Sequence, residues 1–374
     1  MFVIISLFIV CSIFAWAIES SRDERTRKCL IFICLLLLVL VSGTRLVGGT
    51  DYSVYELQYH NVPTFPDSLY PNLRNDHFEI GYQYITSFYK TLGVSFYGFC
   101  LIHAMIFYFC LWKGLKRYTN HFGIVILIFL YKLFYYNTMI SMRQSLTVAF
   151  FLCMVPLIEQ KKYIKYYIAS LLVSTIHNGA NLLFLLYPLV YFALTRKRIV
   201  WLNFIFFPTL FIGLAGINVL GFLEHFIVEN AANEQMANKA AGYFDNENAS
   251  AIGIFHTLEY FLIMSIIIIN LKRFNLKSDK VHIVMWMFLC LLPLFTLFRG
   301  SEILTREKDY FTIFYAVVIG YLIDCLPRYR TAIYLCTFLI CAFGYYRFAI
   351  LFDNGCFLQY DSWLFEPGYS FFLK

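Results

Sequence analysis

The sequence predicts an all-α, polytopic integral membrane protein with about twelve membrane segments. Three observations predict it. Of 374 residues, 60% are hydrophobic and only 14% are charged, well below the charge content of soluble domains. Apolar runs near the ~20 residues needed to cross a bilayer recur along the chain. The basic residues are also concentrated in one alternating set of short loops, as crossing helices require.

In order, the apolar runs fall at 1–18, 29–44, 94–112, 121–136, 141–158, 164–176, 179–194, 199–223, 253–271, 281–298, 309–326 and 331–350. The first, MFVIISLFIVCSIFAWAIES, has neither a basic leader nor an A-x-A cleavage site, so it reads as a span rather than a cleaved signal. Alternate loops carry Arg22 to Lys28, Lys113 to Arg117, Lys161 to Lys165, Arg196 to Arg198, Lys272 to Lys280 and Arg328 to Arg330; these hold nineteen of the thirty Lys and Arg. The positive-inside rule makes that set cytoplasmic, with both termini outside. The net charge of +7 is thus a matter of topology and implies no nucleic-acid partner. Residues 164–194 leave and re-enter the cytoplasmic side within about thirty residues, about 20 Å for each arm at 1.5 Å per residue. This predicts a short broken or re-entrant helix pair meeting at Ile176-His177-Asn178-Gly179. With no repeat or linker visible, 1–374 reads as a single polytopic domain with outer loops at 45–93 and 224–252.

The eleven cysteines lie mostly inside apolar runs and read as small hydrophobes rather than a disulfide framework. No CxxC, HExxH, GxxxxGK[ST] or GxGxxG occurs, so no metal and no cofactor is expected.

Charged groups near a membrane core are costly, at about 2.5–3.5 kcal/mol each for Arg, Lys or Asp at the centre of a helix, and their positions are therefore informative. Arg45, Arg143, His177, Arg299 and Arg306 are all expected at the outer edge. Guanidinium forks suit phosphate oxygens, which points to a pyrophosphate or phosphodiester ligand there. For Arg45 and Arg306 the plainer reading is snorkelling at a helix end, and for His177 a satisfied core histidine. Asp51, Glu79 and His177 are candidates for orienting or deprotonating a hydroxyl. An Asx turn at Asp51 and a helix cap at Glu79 are the structural alternatives. Tyr52, Tyr55 and Tyr82, close to these carboxylates, are candidates for stacking on sugar faces.

These residues also form an ordered pattern. Arg45, then Gly49-Thr50-Asp51-Tyr52 with Tyr55, then Glu79-Ile80-Gly81-Tyr82 and Leu92-Gly93, is followed by Met142-Arg143-Gln144-Ser145-Leu146, by KKYIKYYIASLLVSTIHNGA and by Arg306 to Phe311. The pattern resembles the EpsG-like branch of Wzy-type bacterial polysaccharide polymerases. It departs in a long spacer between Tyr55 and Glu79 and in the Asn178-Gly179 that follows His177.

The resemblance implies a membrane glycosyltransferase of GT-C-like architecture, multi-pass in the bacterial cytoplasmic membrane, with its site facing the periplasm or exterior. It implies joining of oligosaccharide repeat units carried on polyprenyl (undecaprenyl) pyrophosphate, in capsule, O-antigen or exopolysaccharide synthesis. The expected partners are that lipid-linked oligosaccharide, membrane lipid and a chain-length regulator. The expected catalytic residues are Asp51, Glu79, His177 and Arg143, and the expected substrate-binding residues Arg45, Tyr52, Tyr55, Tyr82, Arg299 and Arg306. A lipid-linked oligosaccharide flippase and a membrane O-acyltransferase are the competing readings. A flippase predicts inverted repeats and polar residues at mid-membrane, which the chain lacks.

Overall fold

A computed structural model describes residues 2–46, 51–70, 78–189, 191–215, 217, 253–299, 302–352 and 358–373. The outer loop expected at 224–252 lies outside the described residues. Among those residues the fold is helical, with two isolated β-bridges and no strand. Two compact units emerge, residues 1–189 with 319–374, and residues 190–318.

The first unit is built from α1 (Phe2–Ser20), α2 (Glu24–Gly43), α3 (Tyr52–Asn61), α4 (Ile80–Thr91), α5 (Phe96–Leu115), α6 (Phe122–Lys132), α7 (Met142–Glu159), α8 (Tyr163–Ser174) and α9 (Leu183–Leu189). Local chemistry sets several of the helix starts. The Asp23 carboxylate accepts from Arg25 N and Thr26 N at the head of α2, and Ser95 Oγ accepts from Gly98 N at the head of α5. α5 packs between α2 and α7, while α1 packs on α2 and α6. At Gly123 the approach of α6 to α1 is so close that a Cβ would lie 2.3 Å from Ala15 O. Small residues at helix crossings are how bundles gain packing in lipid, where apolar burial drives little.

At one end of this unit, Arg117 grips Glu159 through two hydrogen bonds of 2.6 and 2.7 Å, tying α5 to α7. At the other end, residues 44–46 and 93–95 are laced to residues 358–373. Leu46 N donates to Asp361 O, Trp363 N to Thr44 O, Ser95 N to Phe371 O and Leu373 N to Gly93 O, at 2.7–3.0 Å.

The second unit contains α10 (Arg196–Phe206), α11 (Thr209–Leu214), α12 (Ile254–Asn270), α13 (Asp279–Leu289), α14 (Leu291–Phe295), α15 (Glu302–Arg306), α16 (Asp309–Thr312) and the first part of α17 (Phe314–Cys325). Its core is aromatic: Tyr260 stacks on Phe288 at 5.1 Å, and Phe288 meets Tyr315 edge-on at 4.9 Å. The rest of α17 and α18 (Arg330–Tyr346) return to the first unit, where α18 packs on α6.

Seven of the described helical segments are long and apolar enough to cross a membrane: Val3–Ser20, Glu24–Gly43, Phe96–Leu115, Met142–Glu159, Arg196–Leu214, Ile254–Arg273 and Pro327–Ala349. The other five runs of the expected twelve are shorter or interrupted helices among the described residues. The run at 281–298 divides into α13 and α14, because Pro293 has no N–H to bond Leu289 O and α13 ends at Leu289. The run at 121–136 gives way after Lys132 to a π-helical turn, Phe134–Ile140. The expected hairpin is α8, an extended His177 (φ −153°, ψ 128°), a 3₁₀ turn at Asn178–Leu182 and α9.

Candidate functional site

The polar stretch at 45–93 is a folded cap. α3 and α4 are joined by Gln58 Nε2 donating to Thr86 Oγ1 at 3.2 Å, and Tyr59 Oη donates to Val94 O at 2.9 Å. Lys90 Nζ donates to His60 O and Val62 O at 2.6 and 2.7 Å, so a cation closes the carboxyl end of α3.

This cap brings Glu79 to two residues far away in sequence. Arg143 Nη1 donates to Glu79 Oε2, and His177 Nδ1 lies 3.3 Å from Glu79 Oε1. The same Oε1 accepts from Asn178 N at 3.2 Å. Backbone packing fixes the meeting point: Gly81 N donates to Thr175 O at 2.8 Å, and a Cβ at Gly81 would lie 2.3 Å from Thr175 Oγ1. Only glycine lets the start of α4 sit this close to the end of α8.

Charge is strongly organised here. Burial alone would raise the Glu79 carboxyl, but the His177 hydrogen bond and the Arg143 charge outweigh it and hold it down at about 2. A carboxylate held that low is a poor proton acceptor. Ionised Glu79 only accepts hydrogen bonds, so His177 Nδ1 carries a proton towards it and Nε2 is left as the basic nitrogen. Glu79 is therefore the group that orients His177 and Arg143. Arg143 also hydrogen-bonds the Tyr55 side chain, and its Nε is buried without a hydrogen-bond partner among the described residues.

Tyr52, Tyr55 and Tyr82 are only 5%, 4% and 0% exposed. Their rings form a core with Phe78, Phe96 and Phe99, and Phe78 stacks on Tyr82 at 5.9 Å. The Arg143 guanidinium lies 4.7 Å from the Phe78 ring centre and 5.8 Å from that of Tyr55. These aromatics seat Arg143 and hold the cap together; their faces are covered rather than offered to a sugar. The sequence showed aromatics beside carboxylates, but only the packing of α3 on α4 and α5 shows which way they turn.

Arg45 is buried against the Tyr52 ring at 5.4 Å and donates to Ser42 O, so it is packed into the bundle rather than snorkelling. Asp51 stands at the start of α3 without a side-chain capping bond, and its charge reaches the Tyr55 hydroxyl. Arg299 and Arg306 belong to the second unit, in which Arg299 is buried and its Nη1 has no partner among the described residues.

Two polar groups escaped the sequence reading. His103 Nε2, in the second turn of α5, is 2.9 Å from Met142 O and 3.2 Å from Ser145 Oγ, so it anchors the start of α7 next to Arg143. At the far end, His121 Nδ1 lies 2.7 Å from Glu19 Oε2 and Nε2 lies 3.0 Å from Asp324 Oδ1, with Arg330 also on Glu19. With both ring nitrogens facing carboxylates, His121 is an imidazolium cross-link between α1, α6 and α17. The available signal was Glu19 itself, a carboxylate directly after the first apolar run.

Comparison with models of protein families matches residues 28–362 to the EpsG family. The chain belongs to the EpsG family. Membership points to a membrane protein of polysaccharide biosynthesis, and the seven apolar helices agree with a membrane location. Comparison with curated proteins and with solved structures gave no match.

Proposed function

We propose that this EpsG-family protein is a polymerase joining polyprenyl-pyrophosphate-linked oligosaccharide units, with its site at the outer face of the bacterial cytoplasmic membrane. The supporting observation is that one ionised carboxylate, Glu79, holds both an arginine and a histidine from distant parts of the sequence.

Glycosyl transfer from a pyrophosphate needs an acceptor oxygen made nucleophilic and a leaving group whose charge is met. In this reading the acceptor hydroxyl oxygen bonds to the anomeric carbon of the growing chain while its proton passes to His177 Nε2. The bond from that carbon to the pyrophosphate oxygen breaks, and polyprenyl pyrophosphate leaves with the electron pair. Arg143 meets the growing charge with the donors not used by Glu79 and Tyr55. Because Glu79 already fixes the guanidinium and the imidazole, little reorganisation is needed as charge moves. Asp51 stands by as a second carboxylate for sugar hydroxyls. Arg299 and Arg306 remain candidates for substrate contact from the second unit. A chain-length regulator is a further proposed partner.

The test is the size distribution of surface polysaccharide in a strain lacking the protein, complemented with wild type, Arg143→Ala or His177→Gln. Wild type should restore long chains. Each variant should insert normally yet leave single lipid-linked units on the outer face. Normal chain length with Arg143→Ala would exclude this arginine and the mechanism built on it.

A further inference from the structure

A groove of about 300 Å³ runs between α4, α5 and α7. Its walls include Phe88 and Tyr89 from α4, Ile102 and Ile106 from α5, and Leu146 and Phe150 from α7. All three helices present stripes at helical spacing. The stripe on α7 matters most, because Arg143, Leu146 and Phe150 follow i, i+3, i+7 and so share one face. The groove therefore begins one turn from the arginine, about 4.5 Å along the axis. On α4 the lining residues run from Tyr84 to Tyr89, beginning five residues beyond Glu79.

The lining is nearly all apolar, and its one imidazole, His103, is turned to Met142 O and Ser145 Oγ. A sugar would find almost no partner there. The groove also opens sideways, since Phe88 is 54% exposed, and two of its walls, α5 and α7, are long enough to cross a membrane.

We infer that this groove holds the first isoprene units of the polyprenyl chain, with the attached pyrophosphate at Arg143. The inference rests on the proposed function for the identity of the carrier. Chain connectivity selects the occupant. In a polyprenyl pyrophosphate the hydrocarbon follows the phosphate oxygen directly, which suits an apolar wall starting one turn from the guanidinium. In a phospholipid, glycerol and ester carbonyls come between phosphate and chain, and this wall would leave those carbonyls buried without donors.

The experiment uses the purified full-length chain in nanodiscs and a farnesyl pyrophosphate analogue bearing a diazirine on its first isoprene unit. After illumination, mass spectrometry of peptides should place the label on the segments containing Phe88, Ile102 to Ile106, and Phe150. Excess farnesyl pyrophosphate should abolish labelling, whereas farnesol should not. Ile102→Trp fills the groove and should reduce labelling at least tenfold, as should Ile106→Trp, used if the first variant does not purify as a single species. Labelling elsewhere, or equal labelling by a phosphatidylglycerol diazirine, would overturn the inference. Polymer length in the same variants is read separately. Groove labelling in a chain whose Arg143→Ala variant still polymerises would keep the lipid site and reject the proposed chemistry.

Discussion

Replacing Glu79 by glutamine removes one negative charge and almost no volume. In the wild type that charge accepts from Arg143, His177 and Asn178 N, with the side chain 12% exposed. The fall of the carboxyl from its ordinary 4.5 to about 2 corresponds to about 3 kcal/mol of stabilisation, at about 1.36 kcal/mol per pH unit. Glutamine also leaves Arg143 without its counter-charge, and stranding a buried charge typically costs about 3–5 kcal/mol. The two figures agree, so a loss of about 3 kcal/mol is expected from reversible unfolding in detergent micelles.

Double-mutant cycles of Glu79→Gln with Arg143→Met and with His177→Gln should each return a coupling of at least about 1 kcal/mol. The pH dependence has a definite sign. A carboxyl depressed by folding stabilises fully above about pH 4.5 and loses that contribution as pH falls towards 2, so wild type and variant should converge at acid pH. Additive cycles, or a difference between the two proteins that does not shrink on acidification, would refute the reasoning.

Gly81→Ala should destabilise by about 1–3 kcal/mol, because the new Cβ meets the Thr175 backbone at 2.8 Å; thermal unfolding would measure it, and Gly93→Ala, open around its Cβ but at φ 75°, provides a contrast of backbone strain without a clash. His121→Leu should cost about 3 kcal/mol by leaving Glu19 buried with a weakened set of partners, and adding Glu19→Leu should recover much of the loss in the same unfolding assay. Deleting residues 358–373 should unlace residues 44–46 and 93–95, seen as rapid amide hydrogen exchange at Leu46 and Ser95 while the far end near Arg117 stays protected.

The helical membrane character was legible because composition and run length report directly on the solvent. The number of continuous crossings was less so, because hydropathy does not register where Pro293 ends α13 or where a π turn follows Lys132. Glu79, Arg143 and His177 each stood out as polar residues in an apolar chain. What joins them is pairing across 64 and 98 residues, which no local pattern carries. The tyrosines were misjudged for a related reason: a Tyr on an amphipathic helix has the same spacing whether its ring meets a ligand or a neighbouring helix. His103 was invisible because nothing around it in FYGFCLIHAMI marks a partner forty residues on.

The lacing by residues 358–373 bears on how the protein matures. Ser362 hydrogen-bonds Thr44, which precedes it by 318 residues, so the segment around Thr44 is made early and fastened only once Ser362 has followed. Until then residues 44–46 and 93–95 stand unlaced, while most of the described helices are already made.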